Sequence, residues 1–273
     1  MERPTVSSRQ NPLVKFVCGL TDKKRRTESG LFRFDGVKLL DEAIGARLKI
    51  KYVIYREDTS KEAVALIERA LSEGLVGDDG VVCVTQSVLE KISEERSPEG
   101  VITVAKMPVE LHSRGGEYLP PREERILVAE SLRDPGNLGT VIRSAYALGI
   151  DRLILTDDCA DIYNPRTLRA AMGAVFKLPT VTVACTELPE YIGRLRDSGR
   201  RVLATALCDN SESIFRVTLN RGDCFVIGNE GHGLSRECIA ACTESVIIPM
   251  REGAESLNAA AAAAICIWET VKA

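Results

Sequence analysis

The sequence predicts an α/β protein in two parts, a small α/β domain followed by a larger one built on a mostly parallel sheet. Three observations lead there. Short apolar runs alternate with amphipathic helical stretches along the whole chain. The runs of the second half, beginning with Arg125-Ile126-Leu127-Val128-Ala129, are continuously apolar, as strands buried on both faces are. The alternation breaks at 106–124, where Pro108, Gly115-Gly116 and Pro120-Pro121 sit among polar residues in the manner of a linker. The expected boundaries are therefore 1–105, a linker at 106–124, and 125–273.

A length of 273 residues is enough for two cores of ordinary size. No stretch of about 18 apolar residues occurs, and Met1-Glu2-Arg3-Pro4 leads into no apolar signal region, so a cytoplasmic protein without a membrane partner is expected. The nine cysteines are odd in number and lack a CxxC pair, which argues against a disulfide framework. With only His112 and His232 to accompany them, a four-ligand zinc site is hard to assemble, and no metal is expected. Free, mostly buried thiols follow. The net charge of −3 conceals an asymmetry: residues 1–51 hold 12 Lys/Arg against 6 Asp/Glu, a balance of +6 that leaves −9 for the remainder. A basic arm on an acidic body suits a protein whose first part meets phosphates. Its densest point is Lys23-Lys24-Arg25-Arg26. Just upstream, Arg9 and Asn11 within Ser7-Ser8-Arg9-Gln10-Asn11-Pro12 add donors for a sugar-phosphate backbone.

Taken in order, the spacing predicts a helix over about 6–28, with Val14, Val17, Cys18 and Leu20 inward and the basic run at its polar end. Leu31-Phe32-Arg33-Phe34 is a strand, Gly36 to Ile44 a helix, and Tyr52-Val53-Ile54-Tyr55 the next strand. A helix from about Lys61 to Ser72 has Ala63, Leu66, Ile67 and Ala70 on one face. Val81 to Val84, a short helix around Val88 to Ile92, and Val101 to Val104 complete the first part. In the second, strands are expected at Arg125 to Ala129, Arg152 to Leu155, Thr180 to Ala184, Val202 to Ala206, Phe225 to Ile227 and Val246 to Ile248, with helices between them. Ligands of such sheets sit at the carboxyl ends of the strands.

Three of those ends are unusual. Thr205-Ala206 leads into a polar turn, and Val226-Ile227-Gly228-Asn229-Glu230-Gly231-His232-Gly233 places three glycines in six residues. The third is Ile248-Pro249-Met250-Arg251-Glu252-Gly253-Ala254-Glu255-Ser256-Leu257-Asn258, in which Pro249 stops a strand and Ser256 or Asn258 can cap the next helix. That helix opens on small residues, Ala260 to Ala264, that permit close approach to another backbone. Glycines at these turns let backbone amides reach a ligand. The order G-x-x-G-x-G, late in the domain, does not match a dinucleotide fold, and no glycine-Lys-Ser/Thr follows to make a P-loop.

Together these segments resemble the SPOUT class of RNA methyltransferases, specifically its TrmH-like 2′-O-ribose branch. The resemblance rests on Asp134-Pro135-Gly136-Asn137-Leu138-Gly139 with Arg143, on Gly228-Asn229-Glu230-Gly231, and on Ile248-Pro249-Met250 with Ser256-Leu257-Asn258. Asn164-Pro165-Arg166-Thr167-Leu168-Arg169 through Ala174 is similar to the stretch between the first two motifs, and Arg169 is a further RNA-binding candidate. The match spans roughly 125–270, while 1–105 resembles the L30e-like RNA-binding domain often fused to it. His232 stands where many relatives carry a small, basic or acidic residue, and it receives no role.

The resemblance implies a deep trefoil knot, which sequence patterning alone would never suggest. It also implies bound S-adenosyl-L-methionine (AdoMet), a homodimer built across the knot, and ribosomal RNA as the partner. Catalysis falls to Asn137, Arg143, Glu230, Ser256 and Asn258. The cofactor falls to Thr205, Ala206, Gly228, Asn229, Gly231, Ile248, Met250 and Leu257. Arg143, placed near a helix start after a glycine turn, is expected to grip a phosphate; a guanidinium holds its proton too tightly to make a good general base. Transfer-RNA ribose, and an RNA-binding protein that has lost catalysis, are the alternatives. Nucleophilic cysteine chemistry on a base is disfavoured, because no cysteine follows a proline.

Overall fold

The computed structural model describes residues 4–95, 97–251, 253 and 256–272; Glu252, Ala254 and Glu255 of the last loop lie outside them. The chain runs α1 (Pro12–Gly19), α2 (Lys23–Ser29), β1 (Leu31–Asp35), α3 (Val37–Gly45), β2 (Ile50–Arg56), α4 (Lys61–Ser72), β3 (Val81–Val84), α5 (Gln86–Ile92), β4 (Val101–Lys106) and β5 (His112–Arg114). It continues with β6 (Ile126–Ala129), α6 (Pro135–Leu148), β7 (Arg152–Thr156), α7 (Pro165–Ala171), β8 (Thr180–Val183), α8 (Leu188–Asp197), β9 (Val202–Thr205) and β10 (Glu212–Ser213). The last elements are β11 (Cys224–Ile227), α9 (Arg236–Ala241), β12 (Glu244–Ile247) and α10 (Ala259–Lys272). These form two compact units. The first gathers the described residues up to Pro108 and, from later in the chain, Tyr163–Phe176; the second holds Val109–Ile162 and Lys177 onward.

In the first unit a four-stranded sheet has the order β1-β4-β2-β3, antiparallel except for the β2/β3 pair. Helix α4 buries Ala63, Ile67 and Ala70 against it, and Ser60 caps that helix by accepting from the Ala63 amide at 3.1 Å. The borrowed segment adds an aromatic cluster: Tyr163 lies 4.7 Å from Phe32, and Phe176 lies 5.3 Å from Phe34, between ring centroids.

The continuous helix expected over 6–28 is instead two. Helix α1 ends at Gly19, and Asp22 starts α2 by accepting from the Lys24 amide at 2.7 Å. The basic run therefore opens a helix, where its charge opposes the dipole, and the Asp22 cap counters this. Arg26 corrects the expectation that all four cations meet RNA: it is buried and donates to the carbonyls of Leu20 at 2.8 Å and Thr21 at 2.7 Å. It braces the turn between the helices.

The second unit is an eight-stranded sheet, order β10-β12-β9-β11-β6-β7-β8-β5, with every pairing parallel. Within the stretch read as linker, His112–Arg114 supply its edge strand β5. Their mixed polar pattern suits an edge and gave no strand signal. One face packs Ile126, Val128, Ile154 and Val226 against Tyr191, Ile192 and Leu195 of α8 and Cys238 of α9. Towards the other face α10 lies against α6 and β11. From β6 the chain steps outward through β7 and β8, then crosses to β9 and leaves a position that β11 fills. The carboxyl ends of β6, β11, β9 and β12 are thus neighbours at the place where strand order reverses, which is where open parallel sheets hold ligands. Of the nine cysteines, Cys83, Cys159, Cys224, Cys238, Cys242 and Cys266 are buried.

Replacing Arg26 with Ala removes two charge-assisted hydrogen bonds and leaves buried carbonyls unpaired. It should destabilise the protein by about 2 kcal/mol in urea denaturation, whereas Lys24→Ala should stay within about 0.5 kcal/mol; equal effects would contradict the assigned brace.

Candidate functional site

Each loop at this edge starts from a buried strand end and is fixed by local chemistry. After β6, Asp134 caps α6 by accepting from the Asn137 amide at 2.8 Å, and Pro135 occupies the first helical position, where no amide partner is needed. After β11, Asn229 folds its loop back: its side-chain oxygen accepts from the Gly231 amide at 2.8 Å, and its backbone pairs with Gly233. After β12, Asn258 caps α10, accepting from the Ala260 amide at 2.9 Å. Ser256, the other candidate cap, is exposed and makes no such bond.

The loops are then tied to one another. The Glu230 carboxylate accepts from Asn137 Nδ2 at 3.1 Å, from the Asp134 amide at 3.3 Å and from the Arg133 amide at 3.4 Å. Asn258 Nδ2 donates to Asn137 Oδ1 at 2.9 Å. Asn229 Nδ2 donates to the Ser131 carbonyl at 2.7 Å. Three residues expected to act together, Asn137, Glu230 and Asn258, therefore form one hydrogen-bonded chain across the ends of β6, β11 and β12. Both ends of the Asn137 amide are committed, which fixes its orientation.

Two expected roles change. Arg143 does not sit at a helix start: α6 begins at Pro135, so Arg143 lies in its third turn, about 12 Å further along. Its exposed side chain makes no hydrogen bond or ion pair with another described residue, and its place in the third turn removes the helix-terminus argument for its grip. Gly228 likewise keeps no space open for a ligand. A Cβ there would lie 2.3 Å from the Gly233 carbonyl carbon and 2.5 Å from the Leu234 amide, so glycine is required by the closure of its own loop.

Among the remaining candidates, Thr205 ends β9 and donates its hydroxyl to the Val226 carbonyl at 2.8 Å, while the Ala206 amide donates to the Val246 carbonyl at 3.1 Å and its carbonyl accepts from Ser211 Oγ at 2.8 Å. Ile248 is half-buried, while Met250 and Leu257 are exposed. In the first unit Arg9, Lys23, Lys24 and Arg25 are exposed. Asn11 is engaged as the cap of α1, accepting from the Leu13 amide at 2.9 Å, and Arg169 pairs with Glu95 at 3.3 Å, so neither side chain is wholly free for RNA.

Sequence reasoning passed over Glu130. Buried at the end of β6, it accepts from the Ser235 amide at 2.9 Å and the Ser235 hydroxyl at 2.5 Å, holding the start of α9. A carboxylate closing an apolar run was its only signal. Asp158, beyond β7, was also missed. It accepts from Ser131 Oγ at 2.6 Å, Thr156 Oγ1 at 2.7 Å and the Arg133 guanidinium at 3.0 Å. Burial pushes its pKa up, but these three donors outweigh burial and leave it below the ordinary carboxylate value.

The model of the SpoU rRNA Methylase family matches residues 124–268, the stretch that contains all of these loops. The chain belongs to the SpoU rRNA methylase family. Residues 11–103 match the MRM3-like substrate binding domain. The 23S rRNA (guanosine(2553)-2'-O)-methyltransferase RlmP of Bacillus subtilis is 30% identical over 96% of this chain and 97% of its own length. An AdoMet-bound rRNA methyltransferase from Sinorhizobium meliloti superposes with a TM-score of 0.81 at 29% identity, covering 98% of this chain and 97% of that one. The SpoU methyltransferase AviRb from Streptomyces viridochromogenes, in complex with AdoMet, gives 0.81 at 26% identity over 96% and 98%. The SpoU match covers Asn137, Glu230 and Asn258, the three residues of the network.

The Gly228 geometry separates fold from chemistry. Gly228→Ala should lower stability by about 3 kcal/mol, because backbone at that distance cannot yield as a side chain would. Gly231→Ala, whose nearest neighbour would be Asn229 Oδ1 at 3.5 Å, should stay within about 0.5 kcal/mol. Thermal melts of both variants measure this, and a tolerated Gly228→Ala would refute the close approach.

Proposed function

We propose that the protein is an AdoMet-dependent methyltransferase that modifies a ribose 2′-hydroxyl of 23S ribosomal RNA. The observation behind this reading is the chain Glu230–Asn137–Asn258, which joins three loops at the strand-order reversal of a SpoU sheet. Full-length similarity to an enzyme named for 23S rRNA ribose methylation supports the substrate class.

The residues present fit the cofactor. Apolar side chains stand exposed on two loops from adjacent strands, Leu207 after β9 and Met250 and Leu257 after β12, and would be covered by an adenosyl and methionyl group. Half-buried Gly228 and Ile248 add backbone at the same strand ends, where the Asn229 and Ala206 amides are already taken by the Gly233 and Val246 carbonyls. When bound, the group would supply an electrophilic methyl to the ribose oxygen, with the sulfur keeping the electron pair of the broken bond and the hydroxyl proton passing to solvent water. The chain's own contribution is positional. Glu230 acts as an acceptor that holds the β6–α6 loop; it does not touch Arg143, so its role is to orient Asn137. Arg143, exposed and unpaired among the described residues, presents a planar guanidinium suited to a phosphate beside the target ribose. Ser256, exposed and without a hydrogen-bond partner among the described residues, is suited to the ribose edge.

The homodimer and trefoil knot belong to the same reading. Support for the dimer comes from α6 and α10, which pack together and each leave an aromatic side chain exposed, Tyr146 and Trp268, a residue type enriched at interfaces. The MRM3-like part, with Lys23, Lys24 and Arg25 exposed, and Arg9 just ahead of it would supply RNA affinity. A cytoplasmic location follows from a ribosomal substrate.

The test is methyl transfer from labelled AdoMet to 23S rRNA prepared from cells lacking the protein, with the modified ribose mapped by reverse-transcription stops at low nucleotide concentration. Arg143→Ala should lower the rate about 10²-fold while calorimetric AdoMet affinity is unchanged, and Arg143→Lys should recover only part. Full activity in Arg143→Ala would overturn its role, and absence of transfer by the unaltered protein would overturn the reading.

A further inference from the structure

The loop between β6 and α6 is held from two sides, and Glu230 accounts for only one. The other is a cradle at the ends of β6 and β7. Ser131 occupies the left-handed region at φ 55°, uncommon for a residue with a side chain, and all its polar groups are used. Its amide donates to Thr156 Oγ1 at 2.8 Å, its hydroxyl donates to Asp158 at 2.6 Å, and its carbonyl accepts from Asn229. Thr156, buried, donates its own hydroxyl to Asp158 at 2.7 Å. Two residues on, the Arg133 guanidinium meets the same carboxylate at 3.0 Å with its side chain 66% exposed.

Stability does not explain this arrangement. An ion pair this exposed contributes about 0 to 1 kcal/mol, yet a strained turn and a buried threonine converge to orient it. The carboxylate is also ionised throughout the neutral range, its donors having lowered its pKa despite burial. Meanwhile Arg133 keeps most of its fork unengaged among the described residues, where Asp158 is its one side-chain partner. Its own amide is bonded to Glu230, so the cation is fixed beside the Glu230–Asn137 chain.

We propose that Arg133 is a second phosphate anchor for the RNA strand and that Asp158 is the positioning residue that aims it. This deepens the methyltransferase reading and rests on it. Restraining the guanidinium beforehand reduces the rotamer freedom lost on binding, and a planar fork with spare donors matches a phosphate's oxygens. The strand would then be held on the β7 side of the loop by Arg133 and along α6 by Arg143, with the ribose presented between them.

The test uses the full chain and an in vitro transcribed, unmodified 23S rRNA, with binding measured over a series of potassium chloride concentrations. Arg133→Ala should weaken binding about three- to tenfold and reduce the log–log salt slope by about 0.7 to 0.9, the value of one phosphate contact. Arg133→Lys should fall between it and the unaltered protein. Asp158→Asn keeps the shape and removes the charge that aims the cation; it should raise KM for the transcript with a smaller change in kcat. AdoMet affinity should be unchanged in all three. A merely structural cradle would lower the melting temperature and leave the salt slope untouched, which would overturn the proposal. Lost AdoMet affinity in Arg133→Ala with an intact salt slope would place the guanidinium on the cofactor's carboxylate and overturn it as well. If the unaltered protein binds neither transcript nor AdoMet, the methyltransferase reading itself fails; if it binds both and Arg133→Ala matches it, only the second anchor fails.

Discussion

One carboxylate sets the geometry on which the site depends. Glu230 gathers two backbone amides and the Asn137 side chain from the loop after β6, while itself riding on the loop after β11. In a parallel sheet adjacent strand ends lie about 5 Å apart, but the loops leaving them have no ladder to keep them in register. A charged acceptor shared by three donors supplies that register, and charge-assisted bonds of this kind are stronger than neutral ones. Asn258 extends the link to the loop after β12, so displacement of any one loop strains the other two.

Most of the fold was legible because its strands are buried and its helices amphipathic. Ile126–Ala129 and Lys61–Ser72 have the continuous and the periodic patterns that burial on two faces or one imposes. The edge strand His112–Arg114 escaped notice because an edge needs no apolar alternation, and the proline- and glycine-rich residues around it signalled a loop correctly. The break in the N-terminal helix was written in Asp22, a helix start, but the apolar positions on either side disguised it. Hydrophobic period reports the face a residue presents and is insensitive to a turn of three residues between two helices on the same core.

For the site, residue types were legible and their geometry was not. Asn137, Glu230 and Asn258 are far apart in sequence, and only the strand order brings them into one chain of bonds. A glycine reads the same whether its missing Cβ admits a ligand or another stretch of backbone; at Gly228 the structure decides for the second. Charge runs have the same ambiguity. Lys23-Lys24-Arg25-Arg26 looks uniform as a sequence, yet a seven-residue helix must turn one side inward, and Arg26 falls there with two carbonyls to bond. A buried arginine in a basic run is thus a consequence of helical geometry acting on a local excess of one residue type.

The alanines of α10 complete the same logic. Ala260 and Ala263 are buried where the helix meets α6 and β11, and small side chains let two helix axes approach more closely than the usual 8 to 10 Å separation of larger ones. Helix α6 carries Asn137 in its first turn, and α10 begins at the Asn258 cap that bonds to it. Close packing of the two helices and the hydrogen bond between their starts therefore constrain a single distance. A larger residue at Ala260 would push α10 away from α6 and lengthen the Asn258–Asn137 bond with it, so the small-residue face is a requirement of the site as much as of the core.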